Sequence, residues 1–357
     1  MKLKIILIED TLQSVQDLLP ALTAELAANG EAKQFAPQKA AKSEGLYEER
    51  LEQDLRQPDY RDATLIVADR DLSKTEGYRG LSESMVKRVA DVLGVPECGY
   101  ARGEKDEEFV RNAERREGRI AVSVREGPKR FAQQVVSIAS GFSSIAEKLP
   151  GAIRSPGRKS PARLLAEILA KPDYAEKISL YASGDQNRLA SVLRLASNPP
   201  EQQRQLACLL GYWLWDSVLR YPGVVVNETA ASSFLNIRED VFRGASDVQA
   251  LFAKALYDGP FGAAKGRMWW RPLLEDIVAD GRSTDGREFA ESRLKRGIPQ
   301  SQCCEDPSKP AGYYCMLTGK PVSLDNSHGS LSWFPRGADL ARVSRSKYEE
   351  LGPWLTA

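Results

Sequence analysis

The chain has 357 residues, with 50 lysines and arginines against 49 aspartates and glutamates, five cysteines and a single histidine. So even a charge balance excludes a generally polybasic nucleic-acid binder, and no apolar run reaches the roughly 18 residues a membrane span needs. The odd, unevenly spread cysteines argue against a disulfide framework and for a reducing cytoplasm, and the lone histidine excludes histidine-rich metal sites.

The amino terminus carries lysines and one short apolar stretch, which is not a secretory signal pattern. Ile5, Ile6, Leu7 and Ile8 form an unbroken apolar run that stops at Glu9 and Asp10. A strand apolar at every position suits a sheet covered on both faces. Residues 15–28 follow with helical spacing and stop at Asn29-Gly30. Residues 31–60 are polar and charged, with 32–36 the one strand candidate. Residues 63–68 predict a second buried strand, again ending in acids, Asp69 and Asp71. A helix is expected over 82–93, a short strand over 95–101, a helix over 107–116, a strand over 119–124 and a long helix over 128–149. This alternation predicts an α/β doubly wound parallel sheet over residues 1–149.

Residues 150–163 combine proline, glycine, serine and the cations Arg154, Arg158 and Lys159, the composition of a linker. Residues 164–296 predict a mainly α-helical domain for effector or interaction work. Residues 297–357 predict a small third module.

The carboxyl ends of parallel strands form the ligand crevice of such sheets. Glu9, Asp10, Asp69 and Asp71 would repel one another there unless a hard divalent cation such as Mg²⁺ sat between them. With Ile6-Leu7-Ile8-Glu9-Asp10, Leu65-Ile66-Val67-Ala68-Asp69 and Gly77, the first 147 residues resemble a response-regulator receiver domain. The resemblance implies a flavodoxin-like fold, Asp69 as phospho-acceptor, Glu9 and Asp10 as Mg²⁺ ligands and Asp71 as a backbone-carbonyl ligand. It also implies a signalling or regulatory role through protein partners. The chain departs from that family at Gly99-Tyr100-Ala101, where a Thr or Ser is usual, and at the fifth strand, where Arg125 or Lys129 stands nearest to the usual Lys. The departures predict a degenerate receiver that works mainly as a docking surface. Glu9 with Asp69 and Asp71 also resembles the metal set of Toprim-type nucleases, which implies phosphodiester chemistry in a nucleic-acid-processing or phage-defence complex.

In the helical middle, Asn227 is an N-cap candidate ahead of Ala230, Ala231, Phe234 and Leu235. This run resembles the first helix of a helix-turn-helix, with residues 238–252 as the DNA reader and Arg238 and Arg243 as its cations. Arg267 and Arg271 flank Trp269 and Trp270, a mixture able to stack bases and hold phosphates, although paired tryptophans at the head of an amphipathic helix are more often packing anchors. In the tail, Cys303, Cys304, Cys315 and His328 crowd into 26 residues, a ligand inventory for zinc with irregular spacing.

Overall fold

A computed structural model describes residues 2–36, 47–72, 81–101, 118–157, 160–182, 189–190, 193 and 200–355. Gly77, Arg158, Lys159 and the helix expected over 107–116 lie outside the described residues. Two compact units divide the chain: Met1–Leu169 with Asn187–Asp216, and Ala170–Gln186 with Ser217–Ala357.

The first unit is built on five parallel strands, β1 (Leu3–Ile8), β2 (Gly30–Gln34), β3 (Leu65–Asp69), β4 (Glu97–Ala101) and β5 (Ala121–Ser123), in the order β2-β1-β3-β4-β5. Pleating explains why the apolar runs are continuous. Ile6, Ile8, Ile66 and Ala68 share one core with Leu51 and Leu55 of α2 (Tyr47–Leu55) and with Val86 and Ala90 of α3 (Glu83–Leu93). The alternate residues Ile5, Leu7, Leu65 and Val67 are fully buried too, on the face where α1 (Leu12–Leu26) packs against α4 (Pro128–Arg154). β2 is polar because it is an edge strand with half-buried side chains. It begins at Gly30, where a Cβ would lie 2.2 Å from the carbonyl oxygen of Leu3.

α4 runs five residues past the expected end at Leu149, through Pro150, which lacks an N–H to donate but does not stop the helix. Buried Leu149 and Ala152 hold this last stretch to the core. Ser160 then accepts the Arg163 N–H at 3.1 Å and caps α5 (Pro161–Ile168). Most of the stretch expected as a linker is therefore helical. α6 (Pro200–Trp213), expected with the helical domain, packs on α3 and α4 in the first unit. Its Tyr212 holds both backbone groups of Glu97, accepting the N–H at 2.8 Å and donating to the C=O at 3.0 Å.

The second unit pairs β6 (Val225–Asn227) antiparallel with β7 (Met268–Trp270). Trp269 and Trp270 thus stand on a buried strand that runs directly into the next helix, with Trp270 as its N-cap, and both are packing anchors. Pro272, in the first turn of α10 (Arg271–Asp280), lets the helix begin only after them. Around Trp269 pack Phe242, Phe252 and Phe289, with α7 (Glu228–Phe234), α8 (Glu239–Gly244), α9 (Ser246–Leu251) and α11 (Gly286–Leu294). The tail folds as a four-stranded sheet of β8 (Tyr313–Cys315), β9 (Pro321–Val322), β10 (Ser327–His328) and β11 (Ala341–Ser344), in the order β10-β11-β8-β9, followed by the helix Arg345–Leu355. Among the described residues no helix is long and apolar enough to cross a membrane.

Candidate functional site

The order β2-β1-β3 makes the chain leave β1 for one side and return on the other, so a crevice opens at the carboxyl ends of β1 and β3. The register Leu7↔Val67 and Ile8↔Ala68 brings those ends level. Glu9 and Asp10 follow one end and Asp69 closes the other, and one carboxylate oxygen from each lies within 4.8 Å of the others. Among the described residues this is the only group of three or more His, Cys, Asp or Glu ligand atoms that converges so closely.

Two of the acids are almost out of solvent, Glu9 at 4% exposure and Asp69 at 6%. Glu9 is fixed from both sides: its Oε1 accepts the Thr11 N–H at 2.7 Å, and its Oε2 accepts the Tyr100 hydroxyl. Tyr100 reaches it from β4, where it stands in register with Asp69, and its ring meets Phe131 of α4 edge-on at 5.3 Å. Burial, with Asp69 and Asp10 nearby, drives the phenol well above its ordinary range, so it remains a neutral donor. Asp10 accepts from the Thr11 hydroxyl at 3.3 Å.

The carboxyl of Asp69 is pushed up to about 6, first by burial and then by the charges of Asp10 and Asp71. Backbone hydrogen bonds from Asp71 and Arg70 oppose that rise, the former donating to Oδ1 at 3.3 Å. Repulsion among buried acids is what a bound cation relieves. The donors are all hard oxygens, and carboxylates plus water are the ligand set of Mg²⁺, so the residues fit that ion.

The four expected acids thus divide: Glu9, Asp10 and Asp69 converge, while Asp71 stands exposed outside the trio and supplies a backbone N–H to Asp69. Arg125 and Lys129 are exposed beyond β5. In the sequence Tyr100 stands only as a departure from a pattern. Its contact with Glu9 spans 91 positions in the chain and leaves no local signal.

The other expected sites are arranged differently. Cys303 and Cys315 are buried together with Val322, Cys304 is exposed, and His328 packs its ring against Tyr348 at 4.2 Å. They form no converging ligand group among the described residues. Burial pushes the Cys303 thiol up, but hydrogen bonds from the Ser323 side chain and from the backbone of Ser323, Glu305 and Asp306 outweigh it and hold the thiol below its usual range. The Ser344 N–H points at Cys315 Sγ at 3.3 Å.

Asn227 caps α7 as expected, accepting the Ala230 N–H at 2.9 Å. The expected reader over 238–252, however, breaks at Ala245 into two six-residue helices. Its cations are engaged: Arg238 with Asp240 at 2.6 Å, and Arg243 with Glu228 at 2.9 Å and with Glu239. Arg267 donates to Gln249, Arg271 binds Asp339 at 2.6 Å, and Arg154 is exposed in the last turn of α4.

No protein-family model matches the chain, and no curated protein or solved structure is significantly similar to it.

Proposed function

We propose that the first unit is a flavodoxin-like, receiver-like module that holds Mg²⁺ at Glu9, Asp10 and Asp69, with Asp69 as phospho-acceptor, and that the protein acts in signalling or regulation by binding a protein partner. The convergence of those three carboxylates at the strand-order switch point carries the reading. When bound, the cation would neutralise the acids and orient phosphoryl oxygens. The chain's own residues do the rest. Thr11 and Tyr100 fix Glu9 so that it presents a set geometry, and the buried Asp69, with a carboxyl titrating near 6, is an anionic nucleophile at neutral pH.

The set that converges also weighs against a Toprim-type nuclease, which would use Glu9, Asp69 and Asp71: Asp10 takes the third place and Asp71 is left out. A helix-turn-helix reader is weakened by the broken helix at Ala245 and the carboxylate-paired Arg238 and Arg243.

The test is a Mg²⁺ titration of the full chain with and without beryllofluoride, followed by acetyl phosphate labelling. Saturable Mg²⁺ binding, beryllofluoride uptake dependent on it, and loss of both uptake and labelling in Asp69→Asn are expected. Mg²⁺ binding that Asp69→Asn and Glu9→Gln leave unchanged would overturn the cation site. Metal-dependent cleavage of nucleic acid lost in Asp71→Asn would replace the reading with the nuclease.

A further inference from the structure

At the other edge of the first unit's sheet, where β3 and β4 begin, a cleft of about 340 Å³ opens between the end of α2, the loop after it, the end of α3 and the start of α6. That volume lies at the lower end of the range of small-molecule sites. Leu55, Ile66, Leu93 and Val95 make its walls aliphatic, and Val92 adds a side chain left 54% exposed. Tyr60 brings an aromatic ring, held in place by packing on Phe35 at 5.2 Å and by accepting the Ala36 N–H at 3.0 Å.

The same cleft is lined by Arg56, Arg61 and Arg204 against one carboxylate, Asp62, a net of two positive charges. Arg56 is committed elsewhere, with Nε and Nη2 donating to Glu52 at 3.0 and 2.7 Å. The other two share Asp62 at long range: Arg61 Nε stands 3.7 Å from Oδ2 and Arg204 Nη1 3.4 Å from Oδ1. Good charge-assisted pairs close to about 2.7–2.9 Å, so one stretched, exposed carboxylate serves two guanidinium groups. Asp62 does this from a left-handed backbone, φ 67°, which Asp tolerates better than most residues.

We propose that this cleft is a binding site for a planar aromatic phosphate monoester, a mononucleotide or a compound of like chemistry. The phosphate displaces Asp62 between Arg61 and Arg204, whose planar forks match it, and the ring lies against Tyr60 and the aliphatic walls. With Arg56 paired to Glu52, Arg61 and Arg204 against Asp62 leave one uncompensated positive charge, and a phosphate monoester offers its oxygens to both guanidinium groups at once. The site shares no residue with the acidic pocket and does not depend on the reading of that pocket.

Isothermal titration of the full chain with AMP tests it. Saturable binding is expected, with adenosine and inorganic phosphate each weaker by about tenfold or more, since each lacks one half of the recognised chemistry. The double variant Arg61→Ala, Arg204→Ala should weaken AMP by about tenfold or more, both arginines being exposed enough for the fold to tolerate their loss. Asp62→Asn, which keeps the left-handed backbone accessible and removes the competing charge, should tighten it. No saturable AMP binding up to about 1 mM overturns the proposal. So does adenosine or inorganic phosphate binding as tightly as AMP, or AMP binding indifferent to the arginine pair.

Discussion

Tyr100 and Glu97, three positions apart on β4, show how burial sets chemistry side chain by side chain. Tyr100 donates into the acidic pocket and holds Glu9 in one geometry. Partners that orient a metal ligand in this way are typically worth about 10–100-fold in affinity, so Tyr100→Phe should weaken Mg²⁺ binding by about tenfold or more with unchanged circular dichroism. Because Asp69 titrates near 6, Mg²⁺ affinity should fall as pH drops through 6, and calorimetric titration at pH 5 and pH 7.5 reads that directly.

Glu97, at the opposite end of β4, is fully buried, and neither carboxyl oxygen has a hydrogen-bond partner among the described residues. Burial pushes it up to about 8; Glu83 and Asp91 add to the rise, while Arg119 and Lys87 oppose it. The native state therefore keeps a proton that the unfolded chain releases near its ordinary value. Stability should fall as pH rises from about 4.5 to 8, by about 1.4 kcal/mol per pH unit at most, and be indifferent to this group below that window. Glu97→Gln should flatten that slope in urea melts between pH 5 and pH 8.

Among the elements, α3 and β7 show where local pattern and packing agree and where they part. Ser82 and Gly94 bound α3 as their sequence predicts, Ser82 accepting the Met85 N–H and Gly94 adopting φ 65°. Gly94 has a second duty invisible to spacing: a Cβ there would stand 2.9 Å from the backbone N of Gln205 in α6. Gly94→Ala should cost about 1–3 kcal/mol, from the left-handed backbone and the blocked approach together, measured by chemical denaturation. The Trp269-Trp270 pair reads from sequence as packing anchors at the head of an amphipathic helix. The pairing of Val226 with Trp269 and the contact with Phe242 add a short strand just ahead of that helix, whose N-cap is Trp270. With Trp269 1% exposed, Trp269→Ala should destabilise the second unit by about 3–5 kcal/mol.

For the whole molecule, division into two compact units means that each carries its own apolar core and site inventory. Trp269→Ala should accordingly leave Mg²⁺ affinity at the proposed site of Glu9, Asp10 and Asp69 within about twofold of the parent, since sites in separate cores add rather than couple. A tenfold loss would show that the cores are not independent.

The parallel sheet and the edge that carries its acids were legible in the sequence, because unbroken apolar runs in β1 and β3 mean burial on both faces and each run ends in carboxylates. The polar edge strand β2 gave almost no such signal, since an edge strand need not be apolar. Nor could spacing reveal that α4 continues through Pro150 or that α6 belongs with the sheet. Those outcomes depend on contacts between residues tens of positions apart, such as Tyr100 with Glu9 and Tyr212 with Glu97. Local propensity fixes neither partner of such a pair; only the closed chain brings them together.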